Sequence, residues 1–227
     1  MPHVLRSILA LVLGAALAAP ALAQELKTDE QKTLYALGLI LSQNLASFNL
    51  GAADLDAVKA GITDGVLKKD PKISLSEWGP RIQGLQASRL AVVAAAERKS
   101  GEAFLAKAAA EKGATKTASG LIITTLTAGT GPAPQVSDTV KVHYQGTLAD
   151  GTVFDSSVQR GEPITLPLAG GIIKCWSEGV PLMKVGGKSR LVCPPDLAYG
   201  DQGRPPRIKP GATLVFEIEV LEIVKEK

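Results

Sequence analysis

Between positions 28 and 112 the apolar residues recur at helical spacing. In "TDEQKTLYALGLILSQNLASF", Leu34, Leu37, Leu41, Leu45 and Phe48 fall three or four residues apart, the period of one helix face. Thr28 precedes the run as a candidate N-cap, because its hydroxyl can accept from a backbone N–H of the first turn. "DLDAVKAGITDGVLKK" places Leu55, Val58, Ile62 and Val66 on one face and ends in lysines, which complement the negative end of the helix dipole. From Arg81 to Lys112 the chain is rich in Ala, Glu, Lys and Leu, all strong helix formers. Gly79 and Pro80 mark a restart before this stretch and Gly113 a stop after it. A helix of about 30 residues spans roughly 45 Å, more than the width of a small domain. Two short helices do not cover that length. The pattern therefore predicts a first part packed on a second copy, rather than a monomeric three-helix bundle.

After position 113 the period changes from helical to alternating. "TVKVHYQGTL" turns Val140, Val142 and Tyr144 one way and Lys141, His143 and Gln145 the other. Asp150-Gly151 is a hairpin signal. "KSRLVC" puts Ser189, Leu191 and Cys193 on one side, and "TLVFEIEVLEIV" points Phe216, Ile218 and Val220 inward and Glu217 and Glu219 outward. One short helix is expected near "CWSEGVPLM". Antiparallel strands with one helix across them make an α+β domain. The predicted organisation is a leader over 1–23, an all-α module over 24–112 that includes the long connecting helix, and a sheet domain over 113–227.

The leader changes the picture. "MPHVLR" ends in a cation, "SILALVLGAALAAP" is a short apolar run, and "ALA" precedes Gln24. This is the pattern of a secretory signal cut after Ala23, and the run is short for a bilayer span. No cysteine stands at the cut. The expected product is a soluble periplasmic protein with no membrane span. Its formal net charge of +3 is spread among acidic residues, which gives no footprint for nucleic acid.

The candidate chemistry centres on "GTVFDSSVQRGEP", residues 151–163. Asp155 beside Ser156 and Ser157 raises a hydrolase, and Asp155 near Arg160 raises an ion pair. After cleavage His143 is the one histidine left, which leaves little room for a Ser-His-Asp triad or a zinc site built on several imidazoles. No Gly-x-Ser-x-Gly elbow is present. A carboxylate at the edge of an apolar site needs partners, and Tyr144 and Arg160 are the candidates. Ser156 and Ser157 read as turn residues that bond local backbone.

The segments "VKVHYQGTLADGTVFDSS", "GIIKCWSEGVPLMKVGGKSRL", "PPDLAYG" and "PGATLVFEIEVLEI" resemble, in order and spacing, the FKBP-type peptidyl-prolyl cis-trans isomerases. The helical half is similar to the N-terminal dimerisation module of the macrophage infectivity potentiator type, in which two chains interlock through their first helices. The resemblance implies an aromatic pocket. Tyr144, Phe154, Asp155 and Tyr199 fall on its catalytic positions. Arg160, Ile172, Ile173, Trp176, Ile208 and Phe216 fall on its substrate-binding positions, with Trp176 as floor, Phe154 and Phe216 as walls, and Ile173 offering a backbone N–H.

The implied reaction is rotation about X-Pro bonds of unfolded or partly folded exported proteins. It requires no cofactor and no metal, since no covalent bond is made or broken. A holdase chaperone, gripping clients between two long arms with isomerisation secondary, is the competing reading. Macrolide inhibitors are implied partners of the family, but Ile164 replaces a common aromatic wall. Arg204 and Arg207 occupy a loop that is often apolar in the family, which points towards acidic or less apolar clients. Cys175 stands where glycine is common. In the family fold it lies near Cys193, so either a disulfide or two buried thiols is open.

Overall fold

The computed structural model describes residues 26–224; the expected leader lies outside them. They fall into two units, one ending at Leu39 and one beginning at Ile40. Helix α1, Asp29–Gln43, starts on a reciprocal cap. The Gln31 N–H donates to Thr28 Oγ1 at 3.1 Å, and the Thr28 N–H donates to Gln31 Oε1 at 3.2 Å, which satisfies two otherwise orphan donors.

In the second unit α2 spans Ala52–Val66, the short α3 spans Leu75–Trp78 and α4 spans Arg81–Ala109. Asp54, in the first turn of α2, accepts from the Gly51 N–H at 2.8 Å and from both terminal nitrogens of Arg89 on α4 at 2.7 and 2.8 Å. The Arg89 guanidinium and the Gly51 N–H hold that carboxyl far below its usual range. At 29 residues, α4 is about 44 Å long. Gly113 follows it with φ +82°, a conformation that suits glycine, and the chain turns into the sheet.

The sheet is antiparallel throughout. Its strands are β1 (Ala114–Lys116), β2 (Ile122–Thr127), β3 (Thr139–Leu148), β4 (Val153–Ser156), β5 (Ile164–Pro167), β6 (Lys188–Cys193) and β7 (Leu214–Val224). The spatial order is β1-β2-β6-β7-β3-β4, with β5 also on β3. Short helices α5, Ser157–Arg160, and α6, Lys174–Gly179, lie between strands. The β3–β4 hairpin closes at Gly151, φ +88°, where the Thr152 N–H also donates to Asp150 Oδ1 at 2.8 Å.

One sheet face carries the main core. Val140, Val142 and Tyr144 of β3, Leu191 of β6, and Phe216, Ile218 and Val220 of β7 pack with Cys175 and Trp176 of α6. The alternation expected along β3 and β7 is present: Glu219 is exposed between buried Ile218 and Val220. The opposite face is also covered. Ile122, Val192 and Val215 are buried with Ala108 of α4, with Phe104 and Leu105 beside them. Alternation alone predicts one inward face, so this second layer is a difference, and α4 is its cause. No residue of α4 before Leu90 is buried, whereas Leu90, Ala94, Gly101 and Ala108 are.

Candidate active site

Strand β4 delivers Phe154 and Asp155 to opposite sides, as successive strand residues must point. Asp155 pairs in register with Gly146 of β3, and Gly146 pairs with Phe216 of β7. A Cβ on Gly146 would sit 2.7 Å from the Phe154 ring and 3.0 Å from the Phe216 ring. This glycine is what lets the two rings meet across the strand, and sequence reasoning missed it. The signal was available as a glycine inside a strand pattern, which marks close approach.

Four aromatics form an edge-to-face chain. Ring centroids are 5.1 Å apart for Tyr144–Trp176, 5.4 Å for Trp176–Phe216 and 5.7 Å for Phe154–Phe216, with interplanar angles of 79°, 88° and 88°. Such contacts align positive ring edges with negative faces. Tyr144, Trp176 and Phe216 are buried in the core, while Phe154, Ile172, Ile173 and Tyr199 are partly buried against it. Ile208 is buried as well. The Trp176 indole N–H is buried with no acceptor among the described residues. Cys175, next to Trp176, forms a disulfide with Cys193 at the end of β6, which ties the helix under the aromatics to the sheet.

The polar edge is a closed triangle. The Tyr144 hydroxyl donates to Asp155 Oδ2, Arg160 Nη1 donates to Asp155 Oδ1, and Arg160 Nη2 donates to the Tyr144 hydroxyl oxygen at 3.1 Å. Both side chains expected beside Asp155 therefore bind it. Arg160 is aimed by α5, whose cap is Ser156: its Oγ accepts from the Gln159 N–H at 3.2 Å. Ser157 does not act as a local turn residue. Its buried Oγ accepts from the Tyr144 N–H at 2.7 Å and lies 3.1 Å from His143 Nδ1, so it fixes β3 beside the catalytic candidate.

Burial pushes the Asp155 carboxyl up, but Tyr144 and Arg160 outweigh it and hold the group below its ordinary range. Burial first, and then Asp155, push the Tyr144 phenol up. Hydrogen bonds to Tyr144 and Asp155 keep Arg160 firmly protonated. At neutral pH the triangle is a carboxylate, a guanidinium and a neutral phenol. Asp155 is already occupied and depressed, so it is poorly suited to act as a base.

The far rim is the segment after β6. A cleft of about 320 Å³ lies between Phe154 and Asp155 on one side and Tyr199 and Arg204–Ile208 on the other. A larger cavity of about 740 Å³ extends past Arg160 and shares Phe154, Asp155, Pro206 and Arg207. Trp176, Ile172 and Ile173 line neither cavity. Arg204 Nη1 donates to the Tyr199 hydroxyl oxygen at 3.5 Å, and Arg207 Nη1 donates to the Phe154 carbonyl at 3.3 Å.

Among the described residues no three His, Cys, Asp or Glu side chains are grouped to hold a metal, and no helix is long and apolar enough to cross a membrane.

Comparison with known proteins follows the two halves. The family model for FKBP-type peptidyl-prolyl cis-trans isomerase matches residues 131–221. The model for the domain amino terminal to FKBP-type peptidyl-prolyl isomerase matches residues 30–123. The isomerase FkpA of Escherichia coli K12 is 39% identical over 209 residues, covering 87% of this chain and 77% of the relative. The isomerase Mip of Coxiella burnetii is 32% identical over 211 residues, covering 90% of this chain and 91% of its own. The crystal structure of FkpA from Escherichia coli superposes with a TM-score of 0.64 at 38% identity, covering 88% of this chain and 98% of that one.

Proposed function

The chain belongs to the FKBP-type peptidyl-prolyl cis-trans isomerases, and we propose that it turns over X-Pro bonds of exported polypeptides at the Tyr144–Asp155–Arg160 edge of its aromatic cluster. Rotation about an amide must break resonance, against a barrier of about 18–20 kcal/mol, and takes tens to hundreds of seconds unaided for X-Pro. The enzyme has only to favour the twisted amide over the planar one. Charge separation between O and N is smaller in the twisted state, so a water-poor aromatic surface favours it. Phe154 and the rings behind it supply that surface. Tyr199 is the hydroxyl offered to the client's carbonyl and Ile173 the backbone donor; Ile208 lines the cleft, and Ile172, Trp176 and Phe216 back it from the core. Asp155, held by Tyr144 and Arg160, keeps the polar edge in place and acts on the carbonyl electrostatically.

The observation that carries this reading is the closed triangle: a depressed, fully paired carboxylate beside four edge-to-face aromatics suits electrostatic catalysis without covalent chemistry. The test is isomerisation of a short X-Pro peptide by the protein lacking residues 1–23, with Asp155→Ala and Tyr199→Phe variants. Acceleration by the parent and at least a tenfold fall for Asp155→Ala, about 1.4 kcal/mol of transition-state stabilisation, are expected. A folded parent without acceleration would overturn the assignment of the site.

Export to the periplasm after cleavage at Ala23, with residues 24–112 as a dimerisation module and 113–227 as the catalytic domain, belongs to the same proposal. Leu34, Leu37, Ile40, Leu41, Ile62 and Val66 are exposed on the single chain, and pairing of two copies through α1 and α2 would cover them. The same exposed set favours a second reading, holdase action on unfolded clients. Suppression of client aggregation that survives Asp155→Ala would separate the two activities.

A further inference from the structure

We propose that this site prefers prolines flanked by an acidic residue, and that Arg204 and Arg207 are the residues that set this preference. The inference rests on the cleft between Asp155 and Tyr199 being the isomerase site.

Seven arginines lie among the described residues. Arg81, Arg89, Arg98, Arg160 and Arg190 each lie within 4.0 Å of a carboxylate. Arg204 and Arg207 are the two without such a partner among the described residues, and both line the same cleft. The bonds they do make are weak. One runs to a phenol oxygen at 3.5 Å and the other to a carbonyl at 3.3 Å, both beyond the usual N–H···O range. A carboxylate would offer charge-assisted bonds of about 2.7–2.9 Å, and a guanidinium fork matches its geometry.

Among the described residues no acid lining the cleft neutralises the pair. Asp155 is the one carboxylate lining the two cavities, against three guanidiniums from Arg160, Arg204 and Arg207, and both Asp155 oxygens are already bound by Tyr144 and Arg160. Two like charges three positions apart on one loop repel each other, and an incoming anion relieves that repulsion.

Position selects a residue close to the proline. Arg204 stacks over the Tyr199 ring, 5.9 Å from its centroid, and Arg207 touches the Phe154 backbone. Tyr199 is the residue assigned to the client's carbonyl and Phe154 to the apolar surface against the rotating bond. A chain extends by about 3.3–3.6 Å per residue. A client side chain reaching these guanidiniums is therefore one or two residues from the isomerised bond.

The experiment compares peptides that differ only in the residue beside proline: Glu, the isosteric Gln, and Leu. Each exposed ion pair is weak, so the expected Glu-to-Gln ratio of kcat/KM is about three to ten at low salt, and it shrinks as salt screens the charges. The ratio is expected to collapse to about one in the Arg204→Gln/Arg207→Gln protein and to persist in Arg204→Lys/Arg207→Lys. The urea unfolding midpoint is the folding control for each variant. A parental ratio of one, or a ratio unchanged by the Gln substitutions, overturns the proposal while leaving the isomerase site intact. Failure to accelerate all three peptides overturns the site itself, and the proposal with it.

Discussion

Arg98 of α4 grips Asp196 through two guanidinium nitrogens, at 2.6 and 3.2 Å. Its Nε reaches Asp201 Oδ1 at 2.8 Å, so one side chain holds the chain three residues before Tyr199 and two residues after it. Glu97 accepts from Lys209 Nζ at 2.7 Å, next to Ile208. The long helix thus pins both ends of the segment that forms the far rim of the cleft. Arg98→Ala is expected to lower kcat/KM on an X-Pro peptide about two- to fivefold. It should cost about 1 kcal/mol of stability or less, because the pairs are largely exposed. Arg98→Lys, which loses the fork, should restore little. Peptide turnover beside a urea unfolding curve checks this. A shifted midpoint with untouched turnover would leave the clamp purely structural.

The pH dependence follows from the triangle. Burial raises the Asp155 carboxyl, but Tyr144 and Arg160 bring it below its ordinary 3.8. The Tyr144 phenol stands above its ordinary 10.0. The unfolded chain therefore takes up the Asp155 proton at a higher pH than the folded chain. The carboxylate's contribution to stability is complete above about pH 5 and is lost as pH falls through the folded value. We expect kcat/KM to be flat from about pH 5 to 9, and the acid limb of the stability curve to shrink in Asp155→Asn. A bend in the rate within that range would overturn this reading of the triangle.

Reduction should loosen the site. The bridge between Cys175 and Cys193 has a sequence separation of 18, and a loop of that size is worth about 3 kcal/mol in the chain-entropy model. Cys175→Ser/Cys193→Ser, or treatment with dithiothreitol, is expected to lower the urea midpoint accordingly. The indole fluorescence of Trp176, next to the bridge, should change before global unfolding if the disulfide also holds the aromatic cluster.

Gly211 tests the seam between α4 and the sheet. Its φ is +73°, and a Cβ there would lie 2.4 Å from the Ala94 carbonyl oxygen. Both strain and a backbone clash oppose any side chain. Gly211→Ala is expected to cost about 1–3 kcal/mol, read as a drop in Tm. Gly113→Ala, also at positive φ but in open space, isolates the strain alone and should cost less.

Much of this molecule was legible residue by residue. The Thr28 cap, the restart at Gly79-Pro80 and the alternation of Val140, Val142 and Tyr144 depend on neighbours within about four positions, and those interactions are written directly in the order of residues. The partners of Asp155 were legible for a related reason: Arg160 is five residues away, and Tyr144 stands on the adjoining strand of a hairpin marked by Asp150-Gly151. Other relationships were not. Ser157 looked like a turn residue because nothing local shows that its hydroxyl meets the Tyr144 N–H. Gly146 inside a strand marks a close approach, but nothing local shows that two rings make it. Val192 and Val215 alternate as outward positions until α4 is laid over them. Arg98 meets Asp196 across 98 residues. By itself the sequence determined the elements and their apolar faces, since local hydrogen bonding and side-chain period decide those. Only the tertiary structure decided that α4 covers the second face and clamps the rim around Tyr199, because such pairings depend on how whole elements pack.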